Sequence, residues 1–310
     1  MSTVKVEMPS LETTDGLESL SACSVCGSDA IEQLDPECKL CRCRECGYVF
    51  DSPRPNQQEI TSFYSQQGKY DSWLTDAAAR DSLWKRRLKM LMQHRARGNL
   101  LDVGTGIGQF LHHAQPYFTE VAGTEISASA VRIARERYGL EIQQGQINEL
   151  PIPDASFDNV TLFHVLEHVP DPAKLMRRCH RLLRPSGIAV IAVPNDVLAW
   201  GSGLKKLGNR MHLRPFQKFS RVVGISKAGT SREIHLSHFT PLVLRRLLTN
   251  AGFEIVEQGI DPYYAASGLW KLLHRVYYAL HRVMFKLFRV NRYETIWMIA
   301  RKNADFSRDS

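Results

Sequence analysis

Residues 99–110, NLLDVGTGIGQF, constrain the fold more than any other part of this 310-residue chain. A short apolar run, Leu100, Leu101 and Val103 interrupted by Asp102, leads into glycines at alternate positions, Gly104, Gly106 and Gly108. A segment of helical composition follows. The order is strand, tight turn, helix. Glycine lacks a Cβ, so the main chain can turn through positive φ and a ligand can approach it closely. The N–H groups at the new helix start can then hold polar or anionic groups. Further on, the apolar run EVAGTE ends in Glu125. An acid at the end of the second strand of a βαβ unit can accept hydrogen bonds from both ribose hydroxyls, which favours a nucleoside-containing ligand. The G-x-G-x-G spacing behind Asp102 is not the G-x-G-x-x-G of nicotinamide dehydrogenases.

The pattern repeats along the chain. Strands are expected at 99–103, 120–124, 140–144, 159–163 and 187–193, with helices at 107–114, 130–138 and near 172–183. Ser127 or Ser129 can cap the second helix and Gly139 stops it. Pro185-Ser186-Gly187 stops the third. Residues 187–193 are almost wholly apolar, as a central parallel strand should be. A last helix over 241–251 ends at Gly252, and strands at 253–258 and 295–301 complete the set. Helices at 56–64 and 71–95, with Asn56 as a cap, precede the glycine stretch.

FDNVTLFHVLEHVPDP at 157–172, LLRPSGIAVIAVPN at 182–195 and HFTPLVLRRLLTNAGFEIV at 238–256 follow the glycine motif in order. Together they resemble the class I S-adenosylmethionine (SAM)-dependent methyltransferases, most closely the ubiquinone-biosynthesis-like and sugar methyltransferase branch, over roughly 99–301. The resemblance implies a doubly wound, Rossmann-like α/β fold with a seven-stranded sheet. It implies that Gly104, Gly106 and Gly108 cradle the methionine part of SAM, that Asp102 helps orient it through the loop and that Glu125 holds the ribose. The family usually has an Asp after the glycine that follows strand three; Gln146 stands there, and its acceptor oxygen can make a neutral contact with adenine. Segments like 56–98 often cover the cofactor pocket in this family, which makes Tyr64 and Tyr70 candidates for a lid.

A hydroxyl acceptor needs a base as well as SAM. His164, Glu167 and His168 follow strand four, with His168 the first candidate, and His235 and His238 form a second cluster. The Asn/Asp-Pro-Pro-Tyr motif of many base and glutamine methyltransferases is absent after strand four.

Of seven cysteines, six fall between 23 and 46. In a chain whose first ten residues lack a charged start followed by an apolar core, such clustering points to a metal rather than to disulfides. Cys23 and Cys26 with Gly27, and Cys43 and Cys46 with Gly47, form two C-x-x-C-G units at zinc-ribbon spacing. Two such turns supply the four-sulfur cage of a structural zinc site. Cys38 and Cys41 lack the trailing glycine and are left out. The expected organisation is a mobile tail (1–20), a zinc ribbon (21–55), a helical lid (56–98), the methyltransferase domain (99–301) and a second tail (302–310).

The net charge of +8 is concentrated. Two inserts, 197–232 and 262–292, carry eight and six Lys/Arg residues without one Asp or Glu. A basic rim suggests an anionic substrate or surface. Within 269–289, Leu269, Leu273, Val276, Leu280, Val283 and Leu287 project onto one line, and Lys271, Arg275, Arg282, Lys286 and Arg289 onto the other side. That pattern suits a helix at an anionic membrane interface; packing on its own domain or in a homodimer is the competing reading. No apolar run approaches the roughly 20 residues of a membrane span, so a cytoplasmic location, with peripheral contact at the inner face of the membrane, is expected. The expected activity is methyl transfer to a small anionic or lipid-linked acceptor (a nucleotide sugar, glycan-lipid or quinone-like precursor), with O-methylation ahead of C-methylation. An RNA methyltransferase and a non-enzymatic SAM-binding or zinc-ribbon scaffold are the rival readings.

Overall fold

The structure, a computed structural model, describes residues 16–35, 39–66, 70–75, 77–94, 97–200, 234–261 and 268–303. Cys38 and the basic residues of the first insert, Lys205 to Arg232, lie outside the described residues.

Five short strands come first: β1 (Leu17–Glu18), β2 (Ile31–Asp35), β3 (Leu40–Cys43), β4 (Val49–Asp51) and β5 (Arg54–Pro55). Residues 17 and 18, expected in a mobile tail, are instead paired. Leu17 lies opposite Pro55 and Glu18 opposite Arg54, and the Arg54 guanidinium holds the Glu18 carboxylate at 2.8 Å. Helices α1 (Gln57–Tyr64), α2 (Asp71–Thr75) and α3 (Ala77–Gln93) follow. Asn56 caps α1 by accepting from the Glu59 N–H at 3.0 Å. The one helix expected over 71–95 is thus two. Leu83, Trp84, Arg87, Leu88 and Leu91 form the buried face of α3, at helical spacing.

The main body comprises β6 (Asn99–Val103), α4 (Gln109–Ala114), β7 (Glu120–Glu125), α5 (Ala128–Tyr138), β8 (Gln143–Gln144), β9 (Phe157–Phe163), α6 (Pro172–Leu182) and β10 (Leu183–Pro194). After the first insert come β11 (Ser237–His238), α7 (Pro241–Asn250), β12 (Phe253–Gly259), α8 (Gly268–Phe288) and β13 (Thr295–Lys302). Seven strands form one sheet in the order β12-β13-β10-β9-β6-β7-β8. The strands from β8 to β10 are parallel, and β13 runs antiparallel between β10 and β12. This is the doubly wound α/β sheet that the sequence implies.

Local chemistry sets the element ends. Ser127 caps α5 through the Ala130 N–H, and Gly139 at φ 65° ends it. Pro172 and Pro241 open α6 and α7 behind the side-chain caps Asp171 and Thr240. The helix expected from 107 begins at Gln109, because Gly108 at φ 77° is left-handed. The third strand, expected over 140–144, shrinks to two residues: the Leu140 N–H is taken by the Ala134 carbonyl at the end of α5. One face of the sheet is covered by α6, α7 and the cysteine-rich strands, the other by α3, α4 and α5.

The cysteine-rich region is not a free-standing module. Its sheet has the order β11-β4-β3-β2, so the fourth strand comes from beyond the first insert. Ser237 pairs with Phe50 and His238 with Val49.

Candidate active site

The glycine loop leaves β6 at the carboxyl end of the sheet, where open α/β sheets bind ligands. Gly104 and Gly106 take φ of 66° and 57°. A Cβ on Gly106 would stand 2.7 Å from the Trp73 ring, and one on Gly104 would stand 2.7 Å from a Val165 methyl. The N–H groups of Gly104 and Thr105 donate to the Thr124 carbonyl at 2.8 and 3.0 Å, which ties the loop to β7.

Glu125 ends β7 and is buried. One carboxylate oxygen accepts from the Gly106 N–H at 2.8 Å and the other from the Ser127 N–H at 3.0 Å. Burial pushes its carboxyl above the usual range, and those N–H donors only partly oppose it. It is therefore a buried acceptor beside the glycine loop, which fits the two hydroxyls of a ribose. A cavity of about 360 Å³ opens there, lined by Gly104, Gly106, Glu125, Gln146, His164 and His168 among others. The Gln146 amide donates to Glu149 at 3.0 Å. Tyr64, Tyr70 and Trp73 line the same cavity, which makes α1 and α2 its cover. The Tyr70 and Trp73 rings stand edge to face at 5.1 Å, with the Arg80 guanidinium 3.8 Å from the Trp73 centroid.

Asp102 and Gly108 stand outside that lining. Asp102 is buried beneath the loop and accepts from the Thr161 hydroxyl at 2.6 Å; burial pushes its carboxyl up to about 7. Gly108 packs on Leu140 and Ala134 at the start of α4.

The second wall follows β9. His164 takes φ of 58°, an uncommon conformation for a residue other than glycine. Its Nδ1 lies 3.2 Å from a Glu167 carboxylate oxygen, and its Nε2 lies 3.9 Å from Asp261. Burial lowers His164, but Asp261 and Glu167 outweigh it and leave the imidazole above its usual value. Glu167 is fully enclosed. Burial raises it, yet His168, His164 and His235 together hold it below the usual carboxylate range. His168 Nδ1 lies 2.5 Å from the Ile234 carbonyl and 3.0 Å from the Tyr64 hydroxyl, and its Nε2 lies 3.8 Å from Glu167. The His235 ring is 5.0 Å from that of His168, and its Nδ1 is 3.3 Å from Asp196. Glu167, His168 and His235 bring their ligand-type atoms within 4.8 Å of one another.

His238 does not join them. It is 1 % exposed, between Asp196 at 3.5 Å and Asp51 at 3.4 Å, at the junction of β11 with β4. Arg87 and Asp261, which the sequence reading missed, form a buried ion pair beside His164 with Nε–O distances of 3.0 and 3.2 Å. The signal for Arg87 was its place on the apolar face of α3; the run Lys85-Arg86-Arg87 looks like a solvated edge.

The four cysteines Cys23, Cys26, Cys43 and Cys46 converge within 4.8 Å. Cys23 and Cys46 sulfurs stand 3.5 Å apart, Cys26 and Cys43 3.6 Å. A tetrahedron with Zn–S of about 2.3 Å separates its sulfurs by about 3.8 Å, so the donor set fits. Gly27 and Gly47 close the two turns with N–H bonds to the Cys23 and Cys43 carbonyls at 2.7 and 2.9 Å. Cys41 faces the Ser52 carbonyl instead.

Residues 76–258 match the family model described as a methyltransferase domain. A Mycolicibacterium smegmatis protein named "Probable S-adenosylmethionine-dependent methyltransferase" is 31% identical over 188 residues, 59% of this chain and 73% of that relative. A demethylmenaquinone methyltransferase of Listeria welshimeri is 32% identical over 113 residues, 34% of this chain and 48% of that one. Among solved structures, a SAM-dependent methyltransferase of Thermotoga maritima superposes with a TM-score of 0.52 at 16% identity, over 79% of this chain and 100% of that one. That likeness concerns the fold alone. With its glycine loop, the buried Glu125 beside it and a family match over more than half of its length, the chain belongs to the class I SAM-dependent methyltransferases.

Proposed function

We propose that this enzyme moves the SAM methyl group to a hydroxyl of a small anionic or lipid-linked acceptor: a nucleotide sugar, a glycan on a lipid carrier or a quinone-like precursor. The observation that carries the reading is that His164 and His168 line the same cavity as Gly104, Gly106 and Glu125. The acceptor oxygen attacks the sulfonium methyl. An O–C bond forms as the C–S bond breaks, the sulfonium becomes a neutral thioether, and the hydroxyl proton must go to a base. Much of the rate comes from holding the three atoms in line.

His168 is the base in this reading. Its Nδ1–H donates to the Ile234 carbonyl, which leaves Nε2 as the basic nitrogen. Glu167, 3.8 Å from that nitrogen, stabilises the imidazolium that forms. A histidine in the cavity that can take a hydroxyl proton is what favours O- over C-methylation in this reading. The Listeria relative carries a quinone in its name, in keeping with a lipid-like acceptor. The proposal also assigns Cys23, Cys26, Cys43 and Cys46 to one structural zinc ion; all four positions are filled by thiolates, so the ion would stiffen the fold and take no part in catalysis.

The test uses methyl-labelled SAM and a lysate divided into membrane, small-molecule and nucleic-acid fractions. Label in an organic extract or in anionic small molecules is expected, and label in RNA would replace the acceptor class. His168→Ala should lower turnover about 10²–10⁴-fold with SAM affinity kept; retained turnover would remove His168 as the base.

A further inference from the structure

Helix α8 is attached to the domain by a narrow strip. Of its 21 residues His281 is the one buried. The rings of Tyr277, Tyr278 and His281 stand 5.5–5.6 Å from that of Tyr293, and Trp200 meets His281 at 5.2 Å. The stripe expected from the sequence, Leu269, Leu273, Val276, Leu280, Val283 and Leu287, is left largely open: these residues are 49–72% exposed. Lys271, Arg275, Arg282 and Lys286 run along the opposite flank, Arg289 follows the helix end, and residues 268–292 contain no Asp or Glu. A 21-residue helix is about 31 Å long. Among the described residues no helix is long and apolar enough to cross a membrane.

We propose that α8 lies flat on an anionic lipid surface, its leucine and valine stripe among the acyl chains and its basic flank at the headgroups. Charge decides between occupants. A second copy packed stripe to stripe would cover the leucines and valines but leave the basic flank of each helix facing outward with no acid of α8 to pair it. An anionic bilayer accepts both the apolar stripe and the cations. The position suits an enzyme that works at that surface. The connection leading to α8 leaves β12 at the same sheet end as the cavity, and there Asp261 binds Arg87, which lines the cavity. The inference stands on α8 and does not require a lipid-linked acceptor.

The full-length protein would be floated with phosphatidylglycerol-containing and pure phosphatidylcholine vesicles, at low and high salt. Wild type should float with the anionic vesicles, lose most of that binding at high salt, and stay in solution with the neutral ones. Arg275→Gln/Arg282→Gln/Lys286→Gln should lose binding about a hundredfold, at roughly fivefold per cation near the surface. Leu273→Glu/Leu280→Glu should abolish binding, with unchanged circular dichroism and SAM affinity showing an intact fold. Absence of flotation with anionic vesicles would overturn the proposal. So would a wild-type dimer, seen by light scattering, that becomes a monomer in Leu273→Glu/Leu280→Glu while vesicle binding is absent. Flotation contains no acceptor, so it can fail while methyl transfer succeeds, and the reverse.

Discussion

The hydroxyls of Tyr48 and Ser237 share a hydrogen bond of 2.5 Å across 189 residues of sequence. Tyr48 follows the second cysteine turn and Ser237 belongs to β11, so this contact clamps the cysteine-rich sheet to the catalytic domain. Tyr48 is fully buried, and burial pushes its phenol up to about 12; it keeps its proton at any ordinary pH. Tyr48→Phe leaves the Ser237 hydroxyl without this partner in a closed site. The expected cost is about 1–2 kcal/mol, read as a lower denaturation midpoint for the whole chain rather than for a separate N-terminal transition.

Metal content separates the cysteines. Cys43→Ser should lose zinc and destabilise the protein, because it removes one of four thiolates. Cys41→Ser should keep one zinc per chain, since Cys41 faces the Ser52 carbonyl. Metal analysis of the two purified variants decides it; unchanged zinc in Cys43→Ser would exclude that ligand.

SAM affinity should grade along the cavity. Gln146→Ala removes one neutral hydrogen-bonding group and should weaken SAM about tenfold. Glu125→Ala should weaken it more, because the same carboxylate also holds the Gly106 and Ser127 N–H groups. Calorimetric titration of both variants checks the order. Equal loss would mean that Gln146 contributes more than one neutral hydrogen bond.

Asp102 makes a pH prediction. Its carboxyl rises from an ordinary 3.8 to about 7 on folding, chiefly through burial. The native state therefore holds a proton that the unfolded chain has released between those values. By linkage this contribution makes stability fall as pH rises from about 4 to about 7. The upper limit is about 4 kcal/mol, at 1.36 kcal/mol per pH unit. Asp102→Asn keeps an acceptor for the Thr161 hydroxyl and cannot ionise. Denaturation at a series of pH values should show it gaining on wild type steadily from pH 4 to 7, with a constant difference above.

The succession of strands and helices, the glycine loop and the grouping of Cys23, Cys26, Cys43 and Cys46 were legible because each rests on local spacing. Spacing in Cys23–Cys26 and Cys43–Cys46, or in Gly104–Gly106, carries its own geometry. The exposed stripe on α8 was legible for the same reason. Partners that meet only in three dimensions were not. Arg87 and Asp261 lie 174 residues apart, and neither segment signals the other. His238 looked equivalent to His235, three residues away, but the antiparallel pairing of β11 with β4 buries it. The third strand was overextended because the Leu140 N–H serves the end of α5, a competition that apolar patterning does not register.

That borrowed β11 strand has a consequence for synthesis. The N-terminal cysteine turns emerge first, yet β4 has no outer neighbour until residues 237–238 are made. Through most of translation the nascent chain therefore presents an unpaired strand edge, the feature that recruits wrong partners. Closing it demands a long-range contact, which is slow to form. A metal bound early by the four thiolates would hold β2 to β4 in register during that wait, so zinc supply during growth should govern how much of the chain reaches the native state.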